Sequence, residues 1–251
     1  MFGTRKPVIG MLHVPALPGS PQNELSLNAI IDWVLTDAEA LAGGGTDGLI
    51  VENFGDVPFY PRRVPPHTVA YMTTLAGEVR RRFKLPLGIN ILRNDPASAL
   101  AVAAAVAADF IRVNIHTGAR LTDQGVIQGT AHKTLRYRKL LGCGVKIFAD
   151  VDVKHSAPVA ARELGDEVEE IVSRGCADAT QRPVFRDDHV VPALTQLVDR
   201  APGEPPFELH LTRMLIARIE GARKVIRVEA RRVDRGLKVE AEVEVMKEEH
   251  E

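Results

Sequence analysis

The chain has 251 residues, 45% of them hydrophobic, enough to bury one large α/β core or two small ones and too apolar to remain disordered. Lys and Arg number 32 against 33 Asp and Glu, a formal charge of −1, so no global field draws the chain to nucleic acid or to an anionic membrane, and the partners expected are a small-molecule ligand and other protein chains. Two cysteines, Cys143 and Cys176, exclude a disulfide framework and a cysteine-rich metal site and fit a reducing cytoplasm.

The opening stretch MFGTRKPVIGMLHVPALPG is interrupted by Pro7, Pro15 and Pro18 and has no signal-peptide core. The longest apolar run, at 99–108, falls short of the roughly 20 residues of a transmembrane helix, so no span is expected. From residue 8 onward, short runs rich in Ile, Val and Leu alternate with longer amphipathic ones, the pattern of repeated βα units around a parallel sheet. Strands are predicted over 8–12, 48–51, 87–91, 110–113 and 145–151, and helices over 27–42, 66–83, 96–107, 129–141 and 164–173. Glycines at 43–45 and at 142 stop two of those helices.

Each predicted strand ends in polar chemistry: His13 after the first, Glu52 and Asn53 after the second, Asn90 and Arg93 around the third, Asn114 and His116 after the fourth, and Asp150, Asp152, Lys154 and His155 at the fifth. Any one of these alone reads as a loop or turn residue; their recurrence carries the functional reading. In a (β/α)8 barrel the carboxyl ends of all strands converge on one mouth, whereas a doubly wound sheet focuses its site at one crevice. Five contributing strands therefore predict a TIM-type barrel.

The fifth stretch, FADVDVKHSA, is the densest. Strict alternation would put Phe148, Asp150, Asp152 and Lys154 on one face, lining the lumen below a solvated mouth. The residue types suggest acid–base work on a small, oxygen-rich substrate. Glu52 or Asp150 would act as general base and His13 or His155 as proton shuttle, while Asn53, Asn90, Asn114, His116 and Asp152 bind and orient the substrate. Lys154 has two readings, a Schiff-base nucleophile or a cation neutralising Asp150 and Asp152, with the second preferred. No metal is assigned, since His13, Glu52, Asp150 and His155 lack any tight ligand spacing, and no cofactor is identified.

The motifs GMLHVPALPGSP (10–21), DGLIVENFGDVPF (47–59), LGINILRNDP (87–96), FIRVNIHTGA (110–119), TDQGVIQGTAH (122–132) and FADVDVKHSAP (148–158) resemble those of the BtpA/SgcQ family, over residues 6 to 178. The resemblance implies a TIM-type barrel akin to the ribulose-phosphate-binding barrels and a family whose founding member is described as a photosystem I biogenesis factor on thylakoid membranes. It brings no established reaction. On the matching positions it carries over His13, Glu52, Asn53, Asn90, Asn114, Asp150, Asp152, Lys154 and His155.

The family pattern departs after Ala179. Residues 1–179 supply barrel units one to five and the start of a sixth, while 180–251 read as an atypical segment in which no apolar strand follows. That segment is expected to contain a linker at 202–206, a helix at 208–220 and a β-hairpin with arms at 225–233 and 237–246 around Asp234-Arg235-Gly236. A replaced C-terminus or a shifted reading frame would each produce it, and the shifted frame is preferred. Either way the barrel is expected to be incomplete, with an exposed edge on its last parallel strand that invites self-association.

Overall fold

The computed structural model describes residues 1–2 and 7–184, followed by four further strands, Leu194–Val198, His210–Ile219, Ala222–Arg231 and Glu242–Val245. The elements run β1 (Ile9–His13), α1 (Leu27–Gly43), β2 (Gly48–Glu52), α2 (Pro66–Arg82), β3 (Leu87–Asn90), α3 (Pro96–Ala105), β4 (Phe110–Val113), β5 (Ala119–Thr122), β6 (Gly125–Gln128), α4 (Ala131–Leu140), β7 (Lys146–Asp150), β8 (Ser156–Pro158), α5 (Leu164–Glu169), a π-helical turn (Glu170–Arg174) and β9 (Ala179–Val184). The four later strands are β10 to β13 in chain order. The five predicted strands and five predicted helices are all present, with ends shifted by a few residues at most.

β1, β2, β3, β4, β7 and β9 form one parallel sheet in that order, with no reversal and so no topological switch point. Its two faces differ in what covers them. Outward residues such as Leu12, Leu49, Val51, Ile89, Ile111 and Ile147 share one apolar core with Val34 and Leu41 of α1, Met72 and Leu75 of α2, Leu100 of α3 and Ile171 of the π-helical turn, and Leu135 and Tyr137 of α4 pack against it. The other face holds a separate cluster of Ile50, Phe110, Phe148 and Ala179, against which Phe2, Ile9 and Met11 pack. Helices on one face only, with a monotonic strand order, are features of a barrel wall, whereas a doubly wound sheet is covered by helices on both faces. The α/β architecture is consistent with a TIM-type fold; among the described residues no pairing joins β10 to β1.

Capping is local and legible. Ser26 accepts from Ala29 N at the start of α1, and Asp95 accepts from Ser98 N at the start of α3, each satisfying an amide that the first helical turn leaves unpaired. Inside the sheet, Gly88 is required by packing. A Cβ there would lie 2.2 Å from Cε2 of Phe110, its cross-strand neighbour, whose ring stacks on Phe148 at 4.5 Å.

Three expectations are corrected. A strand does follow Ala179: β9 pairs in parallel with β7, because Asp178 accepts from Ile147 N and its own amide donates to Ile147 O, aligning the chain with the sheet. The edge of β9 is not open, since β10 pairs with it antiparallel where a barrel would place another parallel strand. Residues 210–219, expected to be helical, form strand β11, paired antiparallel with β12; strand pairing along both elements overrides a local helical pattern. β12 and β13 pair antiparallel, as a hairpin requires, while the Asp234-Arg235-Gly236 turn and the linker at 202–206 lie outside the described residues.

The sequence also concealed a second sheet. β5 and β6 form a hairpin around Asp123 and Gln124, with Gly125 in a left-handed conformation (φ 85°), and β8 joins the free side of β5. Ile115, Ile127 and Val153 make a small core of their own. This three-stranded sheet is built from loops that leave the C-terminal ends of β4 and β7.

Candidate functional site

The inward residues change character along each strand. Two positions beyond the apolar layer, β2 presents Glu52, β4 presents Arg112, β7 presents Asp150 and β9 presents Gln181; Asn90 ends β3 and Asn114 follows β4. Arg112 joins the set. Its Nε and Nη2 donate to Asp150 Oδ1 and Oδ2, both at 3.0 Å, and its Nη1 donates to Glu52 Oε2 at 3.1 Å. Asp150 also accepts from Asn114 Nδ2 at 2.8 Å and Gln181 Nε2 at 2.5 Å, and Glu52 Oε2 from Asn90 Nδ2 at 2.5 Å. Side-chain exposure is 5% for Glu52, 0% for Asp150 and 12% for Arg112. A buried charge set of this kind persists only when its hydrogen bonds are nearly complete.

Electrostatics follow from that geometry. Burial alone would lower the Arg112 pKa, but the charges of Asp150 and Glu52 outweigh it and hold the guanidinium well above its ordinary value. Glu52 is divided: Oε2 takes both hydrogen bonds, while Oε1 faces His13 Nε2 at 3.7 Å. The His13 ring stacks on Phe54 at 4.4 Å and is 37% exposed, so it stands between the buried floor and solvent.

The sequence-derived residues divide between this floor and its surroundings. Glu52, Asn90, Asn114 and Asp150 converge on Arg112, with His13 beside Glu52. Asn53 points away; its Oδ1 accepts from Leu92 N and its Nδ2 donates to Asp56, so it ties the loops after β2 and β3 together. His116 is 1% exposed, and one ring nitrogen, Nε2, is hydrogen-bonded to Gly175 O at 2.8 Å; burial, reinforced by the charge of Arg138, keeps its pKa below the usual range. Asp152 pairs with Arg120 at 3.1 Å. His155 is exposed, with its pKa lowered by partial burial and by the charges of Lys154 and Arg93.

Three details of the fifth stretch are corrected. Alternation ends with β7 at Asp150, and Asp152 (φ 54°) and His155 (φ 55°) adopt left-handed conformations, so Asp152 and Lys154 do not continue the face of Phe148 and Asp150. Asp150 is 1% exposed, enclosed by its partners and not part of a wall open to the solvated mouth. The neutralising role expected of Lys154 belongs to Arg112 for Asp150 and to Arg120 for Asp152; among the described residues no carboxylate lies within ion-pair distance of Lys154.

The sequence assigns no role to Arg112, Gln181 or Arg120, and places Arg93 only among the polar residues around the third strand. Arg112 had a signal, since it sits two residues from both Phe110 and Asn114 on a strand with period two. Gln181 had none, because residues 180–184 do not read as an apolar strand. Arg120 is 6% exposed; it donates to Ser156 Oγ at 2.7 Å, to Asp152 and to Glu167 Oε1 at 3.3 Å, and so fastens the small sheet to α5. Arg93 Nη2 donates to Lys154 O at 2.6 Å and lies 3.4 Å from His155 O. Among the described residues, no group of three or more His, Cys, Asp and Glu side chains is placed to hold a metal ion, and no helix is long and apolar enough to cross a membrane.

Comparison with known proteins gives a family and no solved relative. The family model described as the BtpA family matches residues 4–181. The Photosystem I biogenesis protein BtpA of Synechocystis sp. is 48% identical over 213 residues, covering 82% of this chain and 72% of the relative. An uncharacterised protein of Thermococcus kodakarensis is 46% identical over 190 residues (73% and 72%), and an uncharacterised mitochondrial protein of Caenorhabditis elegans 37% over 182 residues (70% and 66%). No solved structure matches the chain.

Proposed function

The chain belongs to the BtpA family, and on that premise we propose that it is an incomplete TIM-type barrel whose strand ends form a small-molecule site suited to acid–base chemistry on an oxygen-rich substrate. The observation that carries the reading is the Glu52–Arg112–Asp150 network, buried at the ends of parallel strands and open toward solvent through His13. A layer serving stability alone needs no charge at this position; the apolar layer beneath shows what packing uses instead.

Within the network the roles separate. Asp150 accepts four hydrogen bonds and is enclosed, which suits it to holding Arg112, Asn114 and Gln181 in place. Glu52 keeps one oxygen toward His13, which suits the pair to taking a proton from a bound hydroxyl and passing it outward. Asn90 is the polar neighbour that fixes the Glu52 carboxylate. A cytoplasmic location and weak affinity for phosphate at the late barrel loops, where the sequence departs from the family pattern, belong to the same proposal.

The test is a ligand screen by thermal shift and calorimetry with sugars, sugar phosphates, nucleotides and small carboxylates on the wild type, Glu52→Gln and His13→Gln. Binding by the wild type that Glu52→Gln abolishes, with its fold intact, is the expected result. A ligand that binds the wild type and both variants equally well would remove the floor from the site.

A second reading is an assembly factor that works through protein contacts. It draws on the name of the Synechocystis relative and on exposed apolar side chains in the loop after β2, where Phe54, Val57 and Tyr60 are 50%, 40% and 52% exposed. Replacing Val57 and Tyr60 by polar residues, with Phe54 left in place because it stacks on His13, would abolish partner capture on this reading and leave ligand response unchanged.

A further inference from the structure

Three arginines in the described residues are almost enclosed at or near the strand ends, and they are satisfied differently. Arg112 has Glu52 and Asp150, and Arg120 has Asp152 and Glu167. Arg93 is 7% exposed, yet among the described residues no carboxylate oxygen lies within 4.0 Å of it. Its Nη2 donates to two neutral acceptors, the main-chain oxygens of Lys154 and His155, and its buried Nε has no partner. An enclosed guanidinium without a counter-ion and with a donor left over is a costly arrangement for a folded chain to keep.

The local structure holds it there. Asn94 exchanges two hydrogen bonds with Ile115, donating to its carbonyl and accepting from its amide, both at 2.9 Å. Asp95 accepts from Val64 N and from Ser98 at the start of α3. With the two following residues pinned, the Arg93 stem has a fixed origin between β3 and α3. The charges acting on it come from Asp123 at the tip of the β5–β6 hairpin and from Asp150 and Glu52 of the floor, opposed by Arg112. The three carboxylates lie beyond ion-pair distance of Arg93. Asp123 is exposed and engaged with Gln124 Nε2 at 2.5 Å. Charges of both the floor and the hairpin tip thus act on Arg93, and the positive charges of Lys154 and Arg93 both act on the His155 ring.

We propose that Arg93 is the anion anchor of the mouth, holding a carboxylate or phosphate group of the ligand whose hydroxyl-bearing part reaches Glu52 and His13. The inference rests on the reading of the mouth as a ligand site and adds to it the ligand's charge. A guanidinium presents its donors in a planar fork that matches the oxygens of either anion, so the chemistry shared by the two is the claim. The anchor stands on the loops after β3 and β7, apart from the late barrel loops, where the sequence departs from the family pattern.

The experiment titrates the full chain with inorganic phosphate, malonate and ribose by calorimetry, for the wild type, Arg93→Met, Arg93→Lys and Glu52→Gln. Phosphate or malonate should bind the wild type, lose at least tenfold in affinity in Arg93→Met and recover in part in Arg93→Lys; which anion binds identifies the group. Equal anion affinity in Arg93→Met overturns the proposal. Ribose binding that depends on Glu52, with neither anion bound, leaves the mouth reading standing and sinks this one. Binding of none of the three sinks both. Because Arg93→Met can fail to fold, a second arm keeps Arg93 in place and follows the His155 ring of the wild type by NMR pH titration, with His155→Gln used only to assign its signal. A bound anion should raise the His155 pKa, and an unchanged titration at saturating phosphate and malonate overturns the anchor.

Discussion

The lower and upper layers of the sheet's inner face are made by the same strands, two residues apart, and are held together by different physics. Below, Ile50, Phe110, Phe148 and Ala179 gain from contact and exclusion of water, which are additive and forgiving of direction. Above, Glu52, Arg112 and Asp150 gain only as a completed set, because each charge removed leaves its partners buried and unpaired. The lower layer stabilises whatever its detailed identity, so long as volume is kept. The upper layer adds little net stability against an apolar substitute, so packing alone does not account for its charges.

The largest effect should come from Arg112→Leu, which strands two buried carboxylates; a loss of about 3–5 kcal/mol in denaturant unfolding is expected. A loss below about 1 kcal/mol would mean the upper layer is wetter than its burial indicates. Asp150→Asn comes next, at about 3 kcal/mol, since Arg112, Asn114 and Gln181 all donate to Asp150 and an amide nitrogen cannot accept from them. At a solvent-exposed strand end the same substitution would spare the fold; burial of Asp150 is what makes it costly. Gly88→Ala tests the lower layer by overpacking it against Phe110, with a loss of about 1–3 kcal/mol; pairing it with Phe110→Leu should recover part of that loss and so display the forgiveness absent above.

The smallest effect is a slope. His116 is neutral and buried in the fold, so the unfolded chain binds a proton more readily than the folded one. Its contribution to stability is present above its unfolded pKa of about 6.5 and is lost as pH falls through that value toward its lowered folded pKa. His116→Gln should flatten the decline of melting temperature between pH about 6.5 and 5. A decline of equal steepness in the variant would move the effect to another group.

The parallel strands up to β7 and the five helices were legible because burial on both faces demands runs of Ile, Val and Leu, and because amphipathic helices must repeat with their own period; the short, half-exposed strands of the small sheet carry no such run. The floor was partly legible for the same reason: Glu52 and Asp150 each lie two residues beyond an inward apolar side chain, and Arg112 obeys the same rule between Phe110 and Asn114. Local sequence thus determined the elements and the class of side chain at their ends. Tertiary structure alone decided which of those side chains meet. Asn53 and Glu52 are adjacent in sequence and face opposite ways; Gln181 reaches Asp150 only because β9 docks on β7; Asp152 leaves the row of Asp150 when the strand ends and Arg120 captures it from a hairpin whose short strands are only partly buried. Hydrogen bonds and ion pairs are made between groups brought together from 30 to 60 positions apart, and no periodicity in a single chain records the partner.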